Sequence, residues 1–401
     1  MKHVLVLSTL YPNAANPRFG TFVARSMESL AALGGWKVTV INPIGLPPLG
    51  LGALSERYRA LGDLPECAKE GGVEVFRPRF TLIPKLGARR NAGAIAKAAM
   101  PVARAVHAAH PVDLVDAQFF FPDGPAAAAL AKALEKPLTI KARGSDITYW
   151  GEVNYARDQM REAAQEARQL LAVSSALREE LALTLGVARQ AVTVHYTGLD
   201  RDRFRPLGHT QLRSQLGAKL GIPLSDTAPL LVGVGALVAR KGHDLSIEAL
   251  AELGDEHPEA RLLVVGKGEE ETALRALAAE RGVADRVHFT GAVDHDLLPI
   301  ILSAADVMVL PTSNEGLANA WVEALACGTP IVTCDVGGAR ELVTSDIAGR
   351  LVERKVASVA QGVREVLSAQ TDPQKVAALA QRFDWKTHAE ELARYYESLL
   401  A

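Results

Sequence analysis

Residues 313–327 read Ser-Asn-Glu-Gly-Leu-Ala-Asn-Ala-Trp-Val-Glu-Ala-Leu-Ala-Cys, and a Gly-Thr-Pro tripeptide follows them. The stretch comes after a short apolar run, Val307–Leu310, and its apolar second half predicts a helix over residues 316–326. Gly328 just past the last helical residue and Pro330 beyond it are typical stop signals for a helix. The stretch therefore predicts the strand, loop and helix of a βα unit.

Two carboxylates flank the start of this predicted helix. Glu315 precedes the helix, Gly316 and Leu317 would open it, and Glu323 lies two turns inside it. The first turn of a helix presents free N–H groups and the positive end of the helix dipole, which attract an anion. Carboxylates beside an anion site indicate a ligand with both phosphate and hydroxyl groups, and a nucleotide sugar fits. The alternative is an ordinary amphipathic helix whose glutamates face water.

The rest of the chain repeats this βα rhythm. Short Val-, Leu- and Ile-rich runs alternate with longer Ala-, Leu-, Glu- and Arg-rich runs, which predicts parallel sheets covered by helices. The predicted strands are 4–7, 38–41, 73–76, 114–117, 138–141, 170–173, 192–195, 230–234, 261–265, 287–290, 307–310 and 331–333. The predicted helices are 21–33, 92–110, 124–134, 175–185, 244–253, 270–281, 297–304, 316–326 and 387–400. The predicted fold class is therefore α/β.

Length and composition bound the domain organisation. A chain of 401 residues is too long for one ordinary core, and its 48% apolar and 22% charged residues are typical of a globular protein. The strand and helix pattern restarts near residue 229, so the linker should lie between residues 196 and 229. We expect two doubly wound domains, residues 1–203 and residues 204–383.

Charge and cysteine content exclude several classes of function. A net charge of -2 gives no reason to expect a nucleic-acid partner. The three cysteines, Cys67, Cys327 and Cys334, are odd in number and lack metal-ligand spacing, which argues against a disulfide scaffold or a zinc site. No run approaches the roughly 18 apolar residues that a membrane span needs. The sequence therefore predicts a soluble, cytoplasmic protein.

The extended string around the two glutamates resembles a known motif. Glu315 and Glu323 have the spacing of the Glu-x7-Glu motif of retaining glycosyltransferases of family 4, which have the GT-B fold. Asn319, residues 336–338 and Glu341 also match that family. The resemblance implies two Rossmann-like domains that face a central cleft, with residues 384–401 crossing back onto the first domain. The stretch 10–23 looks most like bacterial exopolysaccharide and teichuronic-acid-type glycosyltransferases.

The resemblance assigns roles to the residues of the second half. It implies that Glu315 holds hydroxyls of the donor sugar and that Glu323 holds the ribose. Lys241 matches the lysine that binds the donor diphosphate, whereas Ala236 stands where the family usually has an arginine. Arg240, in the same loop, is our candidate for supplying the missing charge. The N–H groups of Gly316 and Leu317, together with Asn319, are expected to contact the nucleotide.

Glycine turns after further strands complete the predicted nucleotide site. Gly235 is one of two small residues that let the backbone approach a phosphate. By resemblance, Gly266 lies near the base and ribose, and Val293 packs on the base. Gly20 in the first half matches the family's flexible glycine loop, although most relatives carry two adjacent glycines there and this chain has Phe19 before Gly20.

Three polar residues of the first half are further site candidates: Arg143 as a catalytic residue that contacts a phosphate or sugar, and Asp146 and Asp123 as acceptor contacts. Arg143 stands where many family members have a histidine at the reacting centre, and arginine stays protonated, so it cannot act as a base. Asp146 either binds the acceptor or caps the following helix, and these alternatives are evenly weighted. For Asp123 the same two alternatives exist, with the helix cap favoured.

The resemblance implies a retaining sugar transfer, for which we expect no cofactor and no essential metal. Two Asp-x-Asp strings, 200–202 and 294–296, could indicate a metal–diphosphate site, but they lie in a linker and before a helix, so we interpret both as structural. The expected substrates are a nucleotide sugar and a glycan or lipid-linked acceptor. The alternatives are a nucleotide-sugar epimerase, a glycan phosphorylase, and a non-catalytic subunit that binds nucleotide sugar.

A basic segment of the first half is relevant to whether the protein contacts a membrane surface. Residues 77–104 contain seven arginines and lysines and no acidic residue: Arg77, Arg79, Lys85, Arg89, Arg90, Lys97 and Arg104. One interpretation is a peripheral contact with the inner face of a membrane, where a lipid-linked acceptor would lie. A solvated basic loop and helix is an equally weighted alternative.

Overall fold

A computed structural model describes residues 1–48, 55–83, 87–208, 212–294 and 296–400. The chain divides into two compact units. Unit 1 comprises Met1–Gly198 and Trp385–Ala401, and unit 2 comprises Leu199–Asp384. The sequence places these divisions after residues 203 and 383.

Unit 1 is built on an eight-stranded sheet in the order β10-β9-β8-β7-β1-β2-β5-β4, in which only β4 is antiparallel to its neighbour. A separate parallel pair joins β3 and β6. The strands are β1 Lys2–Leu7, β2 Trp36–Ile41, β3 Ile44–Leu46, β4 Cys67–Glu70, β5 Val73–Phe76, β6 Arg79–Thr81, β7 Leu114–Ala117, β8 Leu138–Ala142, β9 Gln169–Ala172 and β10 Val192–Val194. The helices are α1 Thr21–Ala32, α2 Glu56–Gly62, α3 Asn91–Ala109, α4 Asp123–Leu134, α5 Ser145–Thr148, α6 Asn154–Glu166, α7 Ser175–Leu185 and, from the end of the chain, α16 Trp385–Leu400.

Unit 2 contains a fully parallel six-stranded sheet in the order β13-β12-β11-β14-β15-β16. Its strands are β11 Leu230–Val234, β12 Arg261–Val265, β13 Val287–Gly291, β14 Val307–Leu310, β15 Ile331–Cys334 and β16 Gly349–Val352. Its helices are α8 Leu212–Leu220, α9 His243–Glu252, α10 Glu271–Glu280, α11 Leu298–Ala304, α12 Asn319–Ala326, α13 Ala339–Leu342, α14 Val356–Ala369 and α15 Pro373–Ala378.

The central strands of both sheets are buried on both faces, which explains their mainly apolar sequences. The exceptions include the buried Asp116 in β7 and Lys141 in β8. In unit 1 the helices α3, α4 and α6 cover one face, and α1 and α16 cover the other. In unit 2 the helices α9, α10 and α14 pack on β11, β12 and β14 through a continuous apolar cluster. The predicted fold class, two doubly wound α/β domains, is confirmed.

Each sheet has a point at which the strand order reverses. In unit 1 it lies between β1 and β7, and in unit 2 between β11 and β14. Open α/β sheets bind ligands in the crevice beyond the carboxyl ends of the strands at such a point. The loops after β11 and β14 are therefore the first place to look for a binding site in unit 2.

The terminal helix α16 packs on α1 in unit 1. Tyr396 is fully buried and meets the ring of Trp36 edge-on, with 5.5 Å between the ring centroids. The Ser26 hydroxyl and the Nε2 atom of His388 are 2.6 Å apart and hydrogen-bonded. The end of the chain is therefore an integral part of the first unit.

Candidate active site

The loops that follow β11 and β14 bring three predicted catalytic side chains together. Nη1 of Arg240 lies 2.8 Å from Oε1 of Glu315. The ammonium group of Lys241 contacts the same carboxylate oxygen. The side chains of Lys241 and Glu315 are only 11% and 13% exposed, whereas that of Arg240 is 51% exposed. The cluster therefore joins a sheltered lysine–glutamate pair to a more accessible arginine.

Backbone contacts fix the two loops to each other. The carbonyl oxygen of Arg240 accepts a hydrogen bond from the N–H of Ser313 at 2.8 Å and from the hydroxyl of Thr312 at 3.0 Å. Both donors lie in the loop that leads to Glu315. The position of Glu315 relative to Lys241 is therefore set by the main chain as well as by the ion pair.

Glycine at position 337 allows a third loop to approach Glu315. Gly337 has a φ of 50°, and a Cβ atom there would stand 1.8 Å from the carbonyl oxygen of Glu315. The next residue, Gly338, donates its N–H to the carbonyl oxygen of Gly316 at 2.7 Å. A side chain at position 337 would displace the loop that carries Glu315, because no atom can occupy that space.

The predicted start of the helix after Glu315 is wrong. Helix α12 begins at Asn319, and Ala318 is its N-cap in an extended conformation. Gly316 and Leu317 lie in the preceding loop, because the Gly316 carbonyl bonds to Gly338 and not within the helix. Their N–H groups are therefore loop amides, and the exposed Asn319 is the first helical residue. The predicted helix end at Ala326 is confirmed, with Gly328 at a φ of 87° beyond it.

Glu323 is half-buried in α12, and burial raises its pKa to about 7. Its neighbours Trp321, Val322 and Ala324 are buried. Within the described ranges no side chain forms an ion pair or hydrogen bond with its carboxylate. The Glu323 carboxylate is therefore partly ionised near neutral pH, and a small change in pH changes its charge.

Gly235 and Gly266 connect the ends of three neighbouring strands. The Gly235 N–H donates to the carbonyl of Val265 at 3.0 Å, and the Gly266 N–H donates to the carbonyl of Gly291 at 3.0 Å. A Cβ atom at Gly266 would lie 1.9 Å from the Gly235 carbonyl oxygen, so the two turns touch through their backbones. Val293 is half-buried, two residues beyond the edge strand β13.

One aspartate of each Asp-x-Asp string contacts Arg203. Oδ1 of Asp200 accepts the N–H of Arg203 at 3.2 Å, and the side chain of Arg203 pairs with Asp296. His295, the middle residue of the second string, lies outside the described residues. Among the described residues there is no group of three or more His, Cys, Asp or Glu side chains that could hold a metal ion.

In unit 1, Arg143 follows β8 and its side chain is held by residues from other elements. Its Nη2 atom donates to the side-chain oxygen of Gln118, and its Nε atom donates to the Gln118 carbonyl at 3.3 Å. The guanidinium carbon lies 5.0 Å from the ring centroid of Phe22. Burial lowers the pKa of Arg143 to about 10, so it stays protonated at neutral pH. Gln118, fully buried at the end of β7, was not identified from the sequence.

Asp146 is fully buried and organises the backbone around it. Its carboxylate accepts the N–H groups of Phe120 at 2.9 Å, Gly144 at 2.8 Å and Arg143 at 3.0 Å. Three backbone donors satisfy it where it stands, at the start of α5. The predicted helix-cap role is wrong, because Gly144 is the N-cap of α5 and Asp146 is the second residue of the helix. The acceptor contact stays a prediction.

Asp123 is not the helix cap that we favoured. Pro122 is the N-cap of α4, and Asp123 is the first helical residue. Its buried carboxylate accepts the N–H of Thr9 at 2.9 Å and so connects the loop after β1 to α4. Burial raises the pKa of Asp123 to about 7, and the nearby charge of Asp146 adds to this effect.

Gly20 is buried at the N-cap of α1 with a φ of 70°, and a Cβ atom there would lie 2.4 Å from the carbonyl carbon of Leu10 and 2.6 Å from the backbone nitrogen of Tyr11. It therefore lies beside the end of β1, where the strand order of unit 1 reverses. Phe19 next to it is 52% exposed.

Only part of the basic segment lies at the surface. Arg77 is fully buried and pairs with Glu70 at 2.6 Å, and half-buried Arg79 donates to the carbonyl of its neighbour Arg77 at 2.6 Å. Lys85 lies outside the described residues. The remaining four cations are exposed, namely Arg89, Arg90, Lys97 and Arg104. Arg77 and Arg79 are therefore removed from the predicted surface patch, because the fold uses them internally.

Two protein families match the chain, one in each unit. The family described as Glycosyltransferase Family 4 matches residues 20–203, and the family described as Glycosyl transferases group 1 matches residues 220–383. No helix in the described part of the chain has the length and apolar character needed to cross a membrane.

Proteins of known name resemble the chain in sequence. The TuaC glycosyltransferase of Bacillus subtilis, named for teichuronic acid biosynthesis, is 30% identical over 342 residues, which is 84% of this chain and 82% of TuaC. A GDP-mannose-dependent phosphatidylinositol monomannoside mannosyltransferase of Mycolicibacterium smegmatis is 31% identical over 261 residues, which is 61% of this chain and 66% of that protein.

Solved structures resemble the chain in fold. Sucrose-phosphate synthase from Thermosynechococcus elongatus superposes with a TM-score of 0.74 at 21% identity and covers 100% of this chain and 99% of its own. Anabaena HepE in complex with UDP gives a TM-score of 0.72 at 21% identity, covering 99% of this chain and 100% of its own. At this identity the likeness concerns the fold, which is of the GT-B type.

Proposed function

The chain belongs to glycosyltransferase family 4, and from this premise we propose that it moves a sugar from a nucleoside-diphosphate sugar to an acceptor hydroxyl with retention of anomeric configuration. The observation that carries the proposal is the cluster of Arg240, Lys241 and Glu315 beyond β11 and β14. It combines two cations for a diphosphate with a carboxylate for sugar hydroxyls at the point where the strand order reverses.

The cluster suits the departure of a diphosphate. Negative charge develops on the leaving phosphate oxygen as the bond to the anomeric carbon breaks, and fixed cations stabilise that charge. In the structure, Lys241 and Arg240 both contact Glu315. We propose that donor binding redirects the two cations to the diphosphate and frees Glu315 to accept hydrogen bonds from the donor sugar.

The proposed transfer proceeds on one face of the sugar. The acceptor oxygen forms its bond to the anomeric carbon on the side that the diphosphate leaves, and the leaving phosphate oxygen takes the acceptor's proton. Arg143 stays protonated and serves as a contact for phosphate or sugar, not as the base. Atoms balance, since one glycosidic bond replaces one phosphoester bond and the proton ends on the nucleoside diphosphate.

We propose that no divalent metal takes part. The two cations supply positive charge at the diphosphate, and Asp200 and Asp296 are engaged with Arg203. Activity that survives a chelator would support this proposal. Strict dependence on added Mg²⁺ or Mn²⁺ would contradict it.

The acceptor is proposed to be a glycan or a lipid-linked sugar in bacterial surface polysaccharide or glycolipid synthesis. The names of the two relatives support this, since one refers to teichuronic acid and the other to a phosphatidylinositol mannoside. We further propose a cytoplasmic protein that contacts the inner face of the membrane through the exposed cations around α3. Sedimentation with vesicles containing phosphatidylglycerol, but not with neutral vesicles, would support this, and no sedimentation would contradict it.

The test of the function is product analysis with a panel of UDP-, GDP- and ADP-sugars and a mixture of lipid-extract and glycan acceptors. We expect release of one nucleoside diphosphate together with a new glycoside that has the donor's anomeric configuration, read from its one-bond carbon–proton coupling. The Glu315→Gln variant should bind the donor and form no product. Nucleotide-sugar binding without transfer in the wild type would favour the non-catalytic alternative, and an inverted product would overturn retention.

A further inference from the structure

Arg354 is not part of the Arg240, Lys241 and Glu315 cluster, but its side chain contacts both loops that carry the cluster, one after β11 and one after β14. The residue follows β16, the edge strand of unit 2, and is exposed. Its Nη2 atom donates to the carbonyl of Ala239 at 3.0 Å, and its Nε atom donates to the carbonyl of Pro311 at 3.2 Å. One guanidinium group therefore bridges two backbone carbonyls that belong to different loops.

The two carbonyls stand next to the proposed catalytic groups. Ala239 directly precedes the Arg240-Lys241 pair, and Pro311 begins the loop that ends at Glu315. A Cβ atom at Gly242, directly after Lys241, would lie 2.4 Å from the Pro311 carbonyl oxygen, so the two loops are already close. A change in the distance between the loops would change the distance between Lys241 and Glu315.

We propose that Arg354 is a positioning residue that holds the Arg240-Lys241 turn in register with the Glu315 loop. The inference rests on the proposed function, because the register matters only if the two loops act on one donor. Lys241 and Arg240 would meet the diphosphate while Glu315 meets the sugar joined to it. The separation of the two loops must then match the separation of the two parts of the donor.

The chemistry of the side chain suits this role. The planar guanidinium presents several N–H donors in fixed directions, so it can bond to two carbonyls at once. A lysine ammonium is a compact charge on a flexible stem and does not reproduce that geometry. In the described part of the chain, no carboxylate forms an ion pair with Arg354, and its two hydrogen bonds go to the two loops.

The test compares Arg354→Ala and Arg354→Lys with Arg350→Ala. Arg350 is a matched control on β16, since it bonds to Glu365 at 2.7 Å and to the carbonyl of Gly349 at 2.9 Å and not to the two loops. The first readout is hydrogen exchange of the peptide covering residues 312–316, whose Ser313 amide bonds to the Arg240 carbonyl. The second readout is steady-state transfer with the full-length protein.

We expect the Ser313 amide to exchange about tenfold faster in Arg354→Ala and at the wild-type rate in Arg350→Ala. Transfer by Arg354→Ala should fall about ten- to a hundredfold in kcat, the scale expected for a misplaced catalytic group. Arg354→Lys should recover only part of that loss. In a Lys241→Ala background the further effect of Arg354→Ala should shrink to less than about twofold, because the residue acts through Lys241.

An unchanged exchange rate of the Ser313 amide in Arg354→Ala would show that Arg354 does not hold the two loops together, whatever the protein catalyses. Faster exchange with unchanged kcat would overturn the positioning role. An equal loss of kcat on adding Arg354→Ala to wild type and to Lys241→Ala would overturn it as well. Arg354 would then only stabilise the contact between the loops. Absence of transfer in the wild type with every donor and acceptor would count against the proposed function, and with it against the positioning role. The exchange experiment would still report separately whether Arg354 holds the loops together.

Discussion

At the scale of single residues, the candidate active site is defined by a carboxylate that is shared between two cations. Lys241 and Glu315 are both sheltered from solvent, so their interaction is little screened, whereas half of the Arg240 side chain is exposed. Solvent should likewise screen the attraction of a bound diphosphate to Lys241 less than its attraction to Arg240. Lys241 is therefore expected to contribute more to transition-state stabilisation than Arg240.

The first prediction separates these two cations. Lys241→Ala should lower kcat by roughly 10²–10³, the scale for removing one preorganised group at a developing charge. Arg240→Ala should lower it by about tenfold, because water and salt screen an exposed charge. Steady-state kinetics at two salt concentrations measures both, and only the Arg240 effect should diminish at high salt. An Arg240→Ala loss equal to that of Lys241→Ala would contradict the ranking.

A second prediction concerns the ionisation of Glu323. Burial raises its pKa to about 7, so the carboxylate predominates above that pH and the neutral acid below it. If the ionised form accepts hydrogen bonds from the ribose, the donor Kd should rise about tenfold per pH unit below 7. Calorimetric titration with the nucleotide sugar from pH 5.5 to 8.5 measures this. Glu323→Gln should show weaker binding with no such slope, and a wild-type profile that is flat across this range would refute the role.

A third prediction tests the close approach at Gly337. Gly337→Ala would bring a methyl group onto the Glu315 carbonyl, so we expect kcat to fall at least tenfold while unit 1 remains folded. Kinetics and circular dichroism together provide the measurement. Gly34→Ala is the control for a glycine with positive φ, because nothing lies within 4 Å of the added Cβ atom. Wild-type turnover in Gly337→Ala would show that the loop does not need this contact.

The residues of the site were predictable to different degrees. Glu315, Lys241 and Glu323 were predicted from their match to the motifs of the family, and the structure brings Lys241 and Glu315 together. Gln118 and Arg354 were not identified, because their roles consist of hydrogen bonds to groups far away in sequence. Asp146 and Asp123 show the same limit, since neither is the N-cap of its helix and each carboxylate is buried against backbone donors from another segment.

At the scale of secondary-structure elements, a buried polar cluster joins α16 to the sheet of unit 1. Nζ of Lys141 lies 3.0 Å from Nδ1 of His195, and Nε2 of His195 lies 3.0 Å from the carbonyl oxygen of His388. The two histidine rings are stacked with 4.2 Å between centroids. Nδ1 of His388 lies 2.7 Å from the carbonyl of Tyr196. Burial lowers the pKa of both histidines and of Lys141 well below their usual values.

The fourth prediction is that acid weakens the attachment of α16. The folded-state pKa of each histidine is lowered, so the stability associated with the neutral rings is present above the unfolded value near 6.5 and is lost as pH falls below it. For each proton that the unfolded chain binds in excess of the folded protein, the free energy of unfolding falls by about 1.4 kcal/mol per unit decrease in pH. Urea unfolding of wild type and His388→Gln between pH 5 and 8 measures the difference.

The comparison with the variant is needed because other buried groups act in the opposite sense. Asp116, Asp123 and Glu323 have raised pKa values, so the stability associated with their neutral forms is lost as pH rises. Their contribution cancels in the difference between wild type and His388→Gln. That difference should become smaller as pH falls from 6.5 to 5, and a constant difference would contradict the account.

The element boundaries show what the sequence determines locally. Strands buried on both faces, such as β7, β11 and β14, have the predicted bounds, because their apolar runs end where the sheet ends. The strands β3, β4, β6 and β16 were missed, since short edge or isolated strands carry few apolar residues. The start of α12 was misplaced because a long-range bond from Gly338 holds Gly316 outside the helix.

At the scale of the whole molecule, the chain forms two doubly wound units and passes between them twice, after Gly198 and after Asp384. The βα alternation, the length and the motif were sufficient to predict this fold class. The return of α16 to unit 1 depends on its contacts with α1 and was expected only from the family resemblance. The sugar, the base and the acceptor are set by loop surfaces that no local sequence rule describes.

The central claim, that unit 2 binds the donor through Lys241, Glu315 and Glu323, is tested most directly by thermal-shift titration. The panel consists of nucleoside diphosphates and nucleotide sugars with and without a chelator, applied to wild type, Glu323→Ala and the control Arg350→Ala. The account predicts a selective rise in Tm for one base, equivalent to about 2.7 kcal/mol at a hundred times Kd, which persists with chelator and is lost only in Glu323→Ala. No rise with any nucleotide, or an equal rise in Glu323→Ala, would contradict it.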